Sequence, residues 1–113
     1  MTIKIKDISW KVTDCFGNNI YLTEERWNHI IDPINHPIMR EFELHLKETL
    51  KKGKRIQNPL NPQKYRYSKQ FEDLTEYNTH IVALVLFKFK ENHEGKFIPN
   101  NYIVTAFPKK IGG

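Results

Sequence analysis

Leu22-Thr23-Glu24-Glu25-Arg26-Trp27-Asn28-His29-Ile30-Ile31-Asp32-Pro33-Ile34-Asn35-His36-Pro37-Ile38-Met39-Arg40 is the stretch on which the reading of this chain turns. Thr23 stands directly ahead of a helical pattern, where its hydroxyl can accept from the unpaired amides of the first turn while Glu24 and Glu25 oppose the positive end of the dipole. Behind that cap, Trp27, Ile30, Ile31 and Ile34 recur at helical spacing and define one apolar stripe. His29 falls on the opposite, polar face with Glu25 and Asp32. Asp32-Pro33 ends or kinks this helix, because the residue before a proline is pushed away from helical angles. His36-Pro37 then opens a second helix, with Ile38, Met39, Phe42, Leu46, Thr49 and Leu50 on one side, and the helix stops at Gly53, read as a left-handed cap.

Ahead of this stretch, Ile3, Ile5, Ile8, Trp10 and Val12 alternate loosely, and Asp14-Cys15-Phe16-Gly17-Asn18-Asn19 is a turn cluster before Ile20-Tyr21-Leu22. A short N-terminal β-hairpin follows from that pattern. Beyond Gly53, Lys54 to Asn58 reads as a strand closed by a loop at Pro59-Leu60-Asn61-Pro62. Tyr65 and Tyr67 alternate with Lys64, Arg66 and Ser68, so that strand has one aromatic face and one basic face suited to a ligand. Residues 71–78 read as an exposed loop with Phe71 and Leu74 tucked down. His80 to Phe89 is apolar on both alternating faces through its centre, as expected of a central strand covered on both sides. Glu91 to Gly95 turns the chain, and Phe97-Ile98 with Tyr102 to Phe107 return it, interrupted at Pro99-Asn100-Asn101. The expected architecture is α+β, an N-terminal hairpin and two α-helices packed on an antiparallel sheet of about four strands.

The 113 residues suit one domain, residues 1–113, and the formal net charge is +5 with a pI near 9.3. Lys47, Lys51, Lys52, Lys54, Arg55, Lys64, Arg66 and Lys69 crowd the middle third. Such a band attracts polyphosphate, and is equally compatible with a solvated surface. Cys15 is the only cysteine, which excludes an internal disulfide. The start lacks the apolar core of a signal peptide, and the longest apolar run, Ile81 to Phe87, is far short of the ~20 residues of a membrane helix, so a cytoplasmic protein with no membrane association is expected. No histidine pair has metal-site spacing with cysteine or carboxylate partners, and there is no Walker loop or Gly-rich dinucleotide turn, so neither metal nor cofactor is expected.

Taken in order, Leu22 to Ile30, His36-Pro37, Thr49-Leu50 ahead of the basic turn, Lys64-Tyr65-Arg66-Tyr67 and Ile103-Val104-Thr105-Ala106-Phe107 resemble the phage-barnase-EndoU-colicin-RelE-like nucleases, over almost the whole chain. The chain departs from that pattern in the inserted Asp32-Pro33-Ile34-Asn35 and in Phe107-Pro108, where a tyrosine is often seen. The resemblance implies a metal-independent endoribonuclease with its cleft between the helices and the concave sheet face. It cleaves by attack of the ribose 2′-hydroxyl on phosphorus, and is of the kind found as a toxin with a cognate antitoxin or immunity protein, or as a phage effector. Histidine suits both proton transfers. On this chain the implied acid and base are His29 and His36, with Arg40 as a phosphate clamp, Thr105 as a donor to phosphate, and Tyr67 as a stacking or phosphate-binding group. Lys51, Lys52, Lys54, Arg55, Lys64, Arg66 and Lys69 are the implied RNA-binding cations.

Each of these residues also has a plainer reading. His29 suits an exposed helix position, His36 the start of a helix ahead of Pro37, Arg40 a pair with Glu41, Glu43 or Glu24, the tyrosines sheet packing, and Thr105 a strand. His45 borders an apolar stripe and reads as packed; His80 lies near the mouth of the central strand, where it suits a third site residue. The alternative function is an inactive RNA-binding or protein-interaction module on the same scaffold.

Overall fold

A computed structural model describes residues 7–112. The chain runs β1 (Ile8–Thr13), β2 (Asn19–Thr23), α1 (Glu24–Ile30), a 3₁₀ helix (Pro37–Phe42), α2 (Glu43–Lys52), β3 (Lys54–Asn58), β4 (Asn61–Gln70), β5 (His80–Glu91) and β6 (Phe97–Lys109). All strands join one six-stranded sheet in the order β1-β2-β6-β5-β4-β3. The protein is therefore α+β as expected, but the sheet is larger than expected and mixed. The N-terminal hairpin is its flank, and β2 runs parallel to β6 through Ile20↔Asn101 and Tyr21↔Tyr102. Asn101 is buried there, donating from Nδ2 to the Asn19 carbonyl at 3.1 Å. Ile3 and Ile5, read as part of the hairpin, lie outside the described residues.

Thr23 caps α1 as read, accepting from the Arg26 amide at 3.1 Å. The helix ends sooner than the apolar stripe: Ile30 is fully buried, whereas Ile34 is 88% exposed. The reason is local. Asp32 Oδ1 accepts from the Ile34 amide and the Asp32 carbonyl from the Asn35 amide, making a tight turn that competes with the helix. The segment after His36 also differs from the reading, entering as a 3₁₀ helix and becoming α-helical only at Glu43. Gly53 is not a left-handed cap, since its φ is −74°. It is glycine because a β-carbon there would sit 2.4 Å from the Thr49 carbonyl oxygen and 2.6 Å from that of Ser68. That close approach lets β3 leave α2 directly against β4.

Cross-strand register assigns the two faces. Tyr67, Ala83 and Ala106 are in register, as are Val85 and Ile103. With Val12, Ile20, Leu22 and Ile81 they form one core with Ile30, Met39, Phe42, Leu46 and Leu50. β5 lies inside the sheet as read: Ile81, Ala83 and Val85 meet the helices, and Val82 is buried on the opposite face. β6 is one continuous strand through Pro99 to Asn101, not two pieces. A bulge opposite Leu84 and Val85 leaves Val104 unpaired in the register. Past Phe87↔Asn101 the β5–β6 pair continues alone to Glu91↔Phe97, with Phe89 and Phe97 exposed.

The sheet curls around its core. Asp14, in the β1–β2 turn, accepts a 2.5 Å hydrogen bond from the hydroxyl of Tyr67 in β4, and lies 3.8 Å from Arg55 of β3, the far edge strand. Further along the hairpin, Trp10 Nε1 in β1 donates to Glu43 of α2 at 2.8 Å. The helices thus fill the inner face, and the opposite face is the outer one.

Candidate nucleic-acid interface

The cleft implied between helices and inner sheet face is filled by the core. Tyr67 is 1% exposed and bonded to Asp14, so it is a core residue and not a platform for a base. Burial works to raise the Asp14 carboxyl pKa, but donors from Tyr67, Asn18 and Phe16 together outweigh it and hold the group below 3.8. Burial and the neighbouring carboxylate push the Tyr67 hydroxyl well above its ordinary range. Arg55 is likewise committed: its guanidinium sits 4.1 Å from the Phe16 ring centre and 4.5 Å from that of Tyr65. Lys69 alternates onto the inner side and lies over Phe71 at 4.4 Å.

The other cations of β3 and β4 point the opposite way. Lys54↔Ser68, Ile56↔Arg66 and Lys64↔Leu86 place Lys54, Arg66 and Lys64 on the outer face. The same parity adds Lys11 opposite Tyr21, and Lys88 and Lys90 on the projecting β5–β6 ribbon. Among the described residues the only carboxylate in any strand is Glu91, in register with Phe97 and alternating away from Lys88 and Lys90. The outer face of the strands is therefore cationic and free of acid. Lys64 and Arg66 have no ion-pair partner among the described residues.

Two rows cross this face. One runs Ile56–Arg66–Leu84–Thr105, the other Lys64–Leu86–Tyr102–Tyr21–Lys11. Tyr21 and Tyr102 are half-buried with ring centres 6.0 Å apart, and the Tyr21 hydroxyl donates to Asn100 at 2.8 Å. They border a cavity of about 180 Å³ whose walls include Arg26 and Glu25. The sequence alone marks neither tyrosine. The signal was their alternation with Ile20, Leu22 and Ile103, and it carried no face until the register did. A further basic hollow of about 220 Å³ lies between Lys52, Lys54, Lys69 and His80. Lys51 is exposed at the end of α2.

The tight turn at Asp32–Asn35 brings the ends of the histidine segment together. Asn35 Nδ2 donates to the His29 carbonyl at 2.8 Å, and the His36 amide donates to that of Ile30 at 2.9 Å. The His36 ring lies 5.4 Å from that of Phe107, which shares a strand face with Thr105. His29 is exposed on the last turn of α1, and Arg40 is exposed in the 3₁₀ helix. His36 also lines a cavity of about 310 Å³ with Glu76, Asn78 and Pro108. Glu76 and Tyr77 occupy a turn with φ of 57° and 62°, a conformation that is strained for residues other than glycine. Around Glu76 the sequence reads only as loop, and the cavity it shares with His36 is a tertiary fact. His45 is packed edge-on to Phe42 and Phe71 and bonded to Asp73 at 2.8 Å, which sets it apart from the histidine segment. His80 Nδ1 is tied to the Thr79 hydroxyl at 2.7 Å.

Among the described residues no cluster of three histidine, cysteine or acidic side chains is arranged to hold a metal, and no helix is long and apolar enough to cross a membrane. No protein-family model, curated protein or solved structure matches the chain.

Proposed function

We propose that this protein binds single-stranded RNA across the outer face of its sheet. The observation that carries the reading is the segregation of charge: cations and half-buried tyrosines on one sheet face, with no carboxylate among its described strand residues. A polyanion gains from releasing counterions along such a face, and unpaired bases gain from stacking on ring faces. A double-stranded ligand would hide its bases from those tyrosines. Retention of a mixed RNA pool against rising salt tests the reading. Binding that weakens steeply with salt, and less steeply in Lys64→Ala and Arg66→Ala, is the expected outcome; affinity indifferent to salt would refute it.

A second reading, metal-independent cleavage of the bound strand, is favoured by one observation: His36 and Glu76 line the same cavity, at the end of β6 that also carries Thr105. An imidazole and a carboxylate would form a proton donor and acceptor for 2′-hydroxyl attack and departure of the 5′-oxygen, with Arg40 and Thr105 available to phosphate. Incubation of RNA with a chelator present, with ends mapped for 2′,3′-cyclic phosphate, tests it. Cleavage lost in His36→Ala is expected; RNA left intact by the native protein leaves binding as the activity.

A further inference from the structure

At the β3–β4 end of the outer face lies a cavity of about 270 Å³ lined by Ile56, Gln57, Asn58, Lys64, Arg66 and Leu84 among others. Ile56 is 64% exposed there although it sits within a strand, and Leu84, across Arg66 in the same row, is half-buried. This is an apolar hollow set within a cationic surface. Its volume is just below the roughly 300–1,000 Å³ of drug-sized sites, which suits a group no larger than a nucleotide.

We infer that this cavity is a nucleobase subsite, taking one base of the bound RNA strand; the inference rests on the reading of the outer face as an RNA-binding surface. Ile56 and Leu84 offer apolar walls to the flat ring. Lys64 and Arg66, free of ion pairs among the described residues, take the phosphates on either side. The Asn58 amide is already oriented. Its Oδ1 accepts from the Leu60 and Asn61 amides at 2.8 and 3.2 Å, leaving its NH₂ group as a donor. That donor, held by the hairpin, gives the subsite the means to favour a base edge that presents an acceptor.

The test compares two polyanions, homo-oligomeric RNAs of each base and inorganic polyphosphate, which has the charge without the bases. Ile56→Ala removes the exposed wall and leaves every cation, and its thermal stability should match the native protein's because the side chain is mostly in solvent. It is expected to weaken the tightest-binding homo-oligomer by about tenfold, narrow the spread among the four, and leave polyphosphate binding unchanged. Lys64→Ala should weaken both polyanions. Equal loss for RNA and polyphosphate in Ile56→Ala, or no loss for any RNA, would overturn the subsite. Failure of the native protein to retain either polyanion would instead bring down the RNA-binding reading itself.

Discussion

The hydroxyl of Tyr67 donates to the carboxylate of Asp14 at 2.5 Å across 53 positions of sequence, joining the turn of the first hairpin to a strand near the far side of the sheet. The bond explains the curl of the sheet and, through it, which face is left to solvent. It also carries a cost if broken, because the Asp14 side chain is fully buried, with the Arg55 guanidinium 3.8 Å away.

Tyr67→Phe keeps the ring and removes one donor from a buried carboxylate. A loss of about 1–3 kcal/mol in urea unfolding is expected. Because folding lowers the Asp14 pKa below 3.8, the charged group contributes stability above about pH 4 and loses that contribution as pH falls further. Native protein should therefore weaken on acidification below about pH 4, and Tyr67→Phe, whose carboxylate is less strongly held, should show a shallower acid slope.

Gly53→Ala should destabilise the fold although φ at that position suits alanine. The added carbon meets two backbone carbonyls, at 2.4 and 2.6 Å, and neither can swing aside as a side chain would. A loss of about 1–3 kcal/mol is expected, read as a lowered Tm. A neutral outcome would mean that α2 and β4 separate easily.

Lys64→Ala and Arg66→Ala should each reduce the slope of log affinity against log salt by about 0.7, the increment for one phosphate contact on a single strand. Lys69→Ala, on the inner side over Phe71, should change that slope less. Equal effects of all three would mean that total charge, and not the face, governs binding.

If the bound strand is cut, His36→Ala should lower turnover by roughly 10²-fold or more with Tm nearly unchanged, and Glu76→Gln should lower turnover while sparing affinity. His45→Ala offers the contrast. Its ring packs between Phe42 and Phe71 and holds Asp73, so it should loosen the 71–79 loop, measured as faster exchange of the Phe71 amide bonded to Thr79, without a direct effect on chemistry.

Local chemistry was legible in the sequence. The Thr23 cap, the first hairpin, the apolar centre of β5, the packed character of His45 and the two-faced strand at Lys64 to Ser68 follow from capping, turn residues and period-two alternation, all of which act over a few neighbouring residues. Ile34 escaped its stripe because the Asp32 side chain outcompeted the next helical turn. Only the tertiary structure decided which face of each strand met the helices. Alternation separates Tyr67 from Arg66 but does not say which of them is buried, and a strand reads the same whichever neighbour it pairs with. The parallel meeting of β2 and β6, the contact of Asp14 with Tyr67, and the shared cavity of His36 and Glu76 each join residues dozens of positions apart. Their placement is set by burial of one common core, which no local pattern encodes.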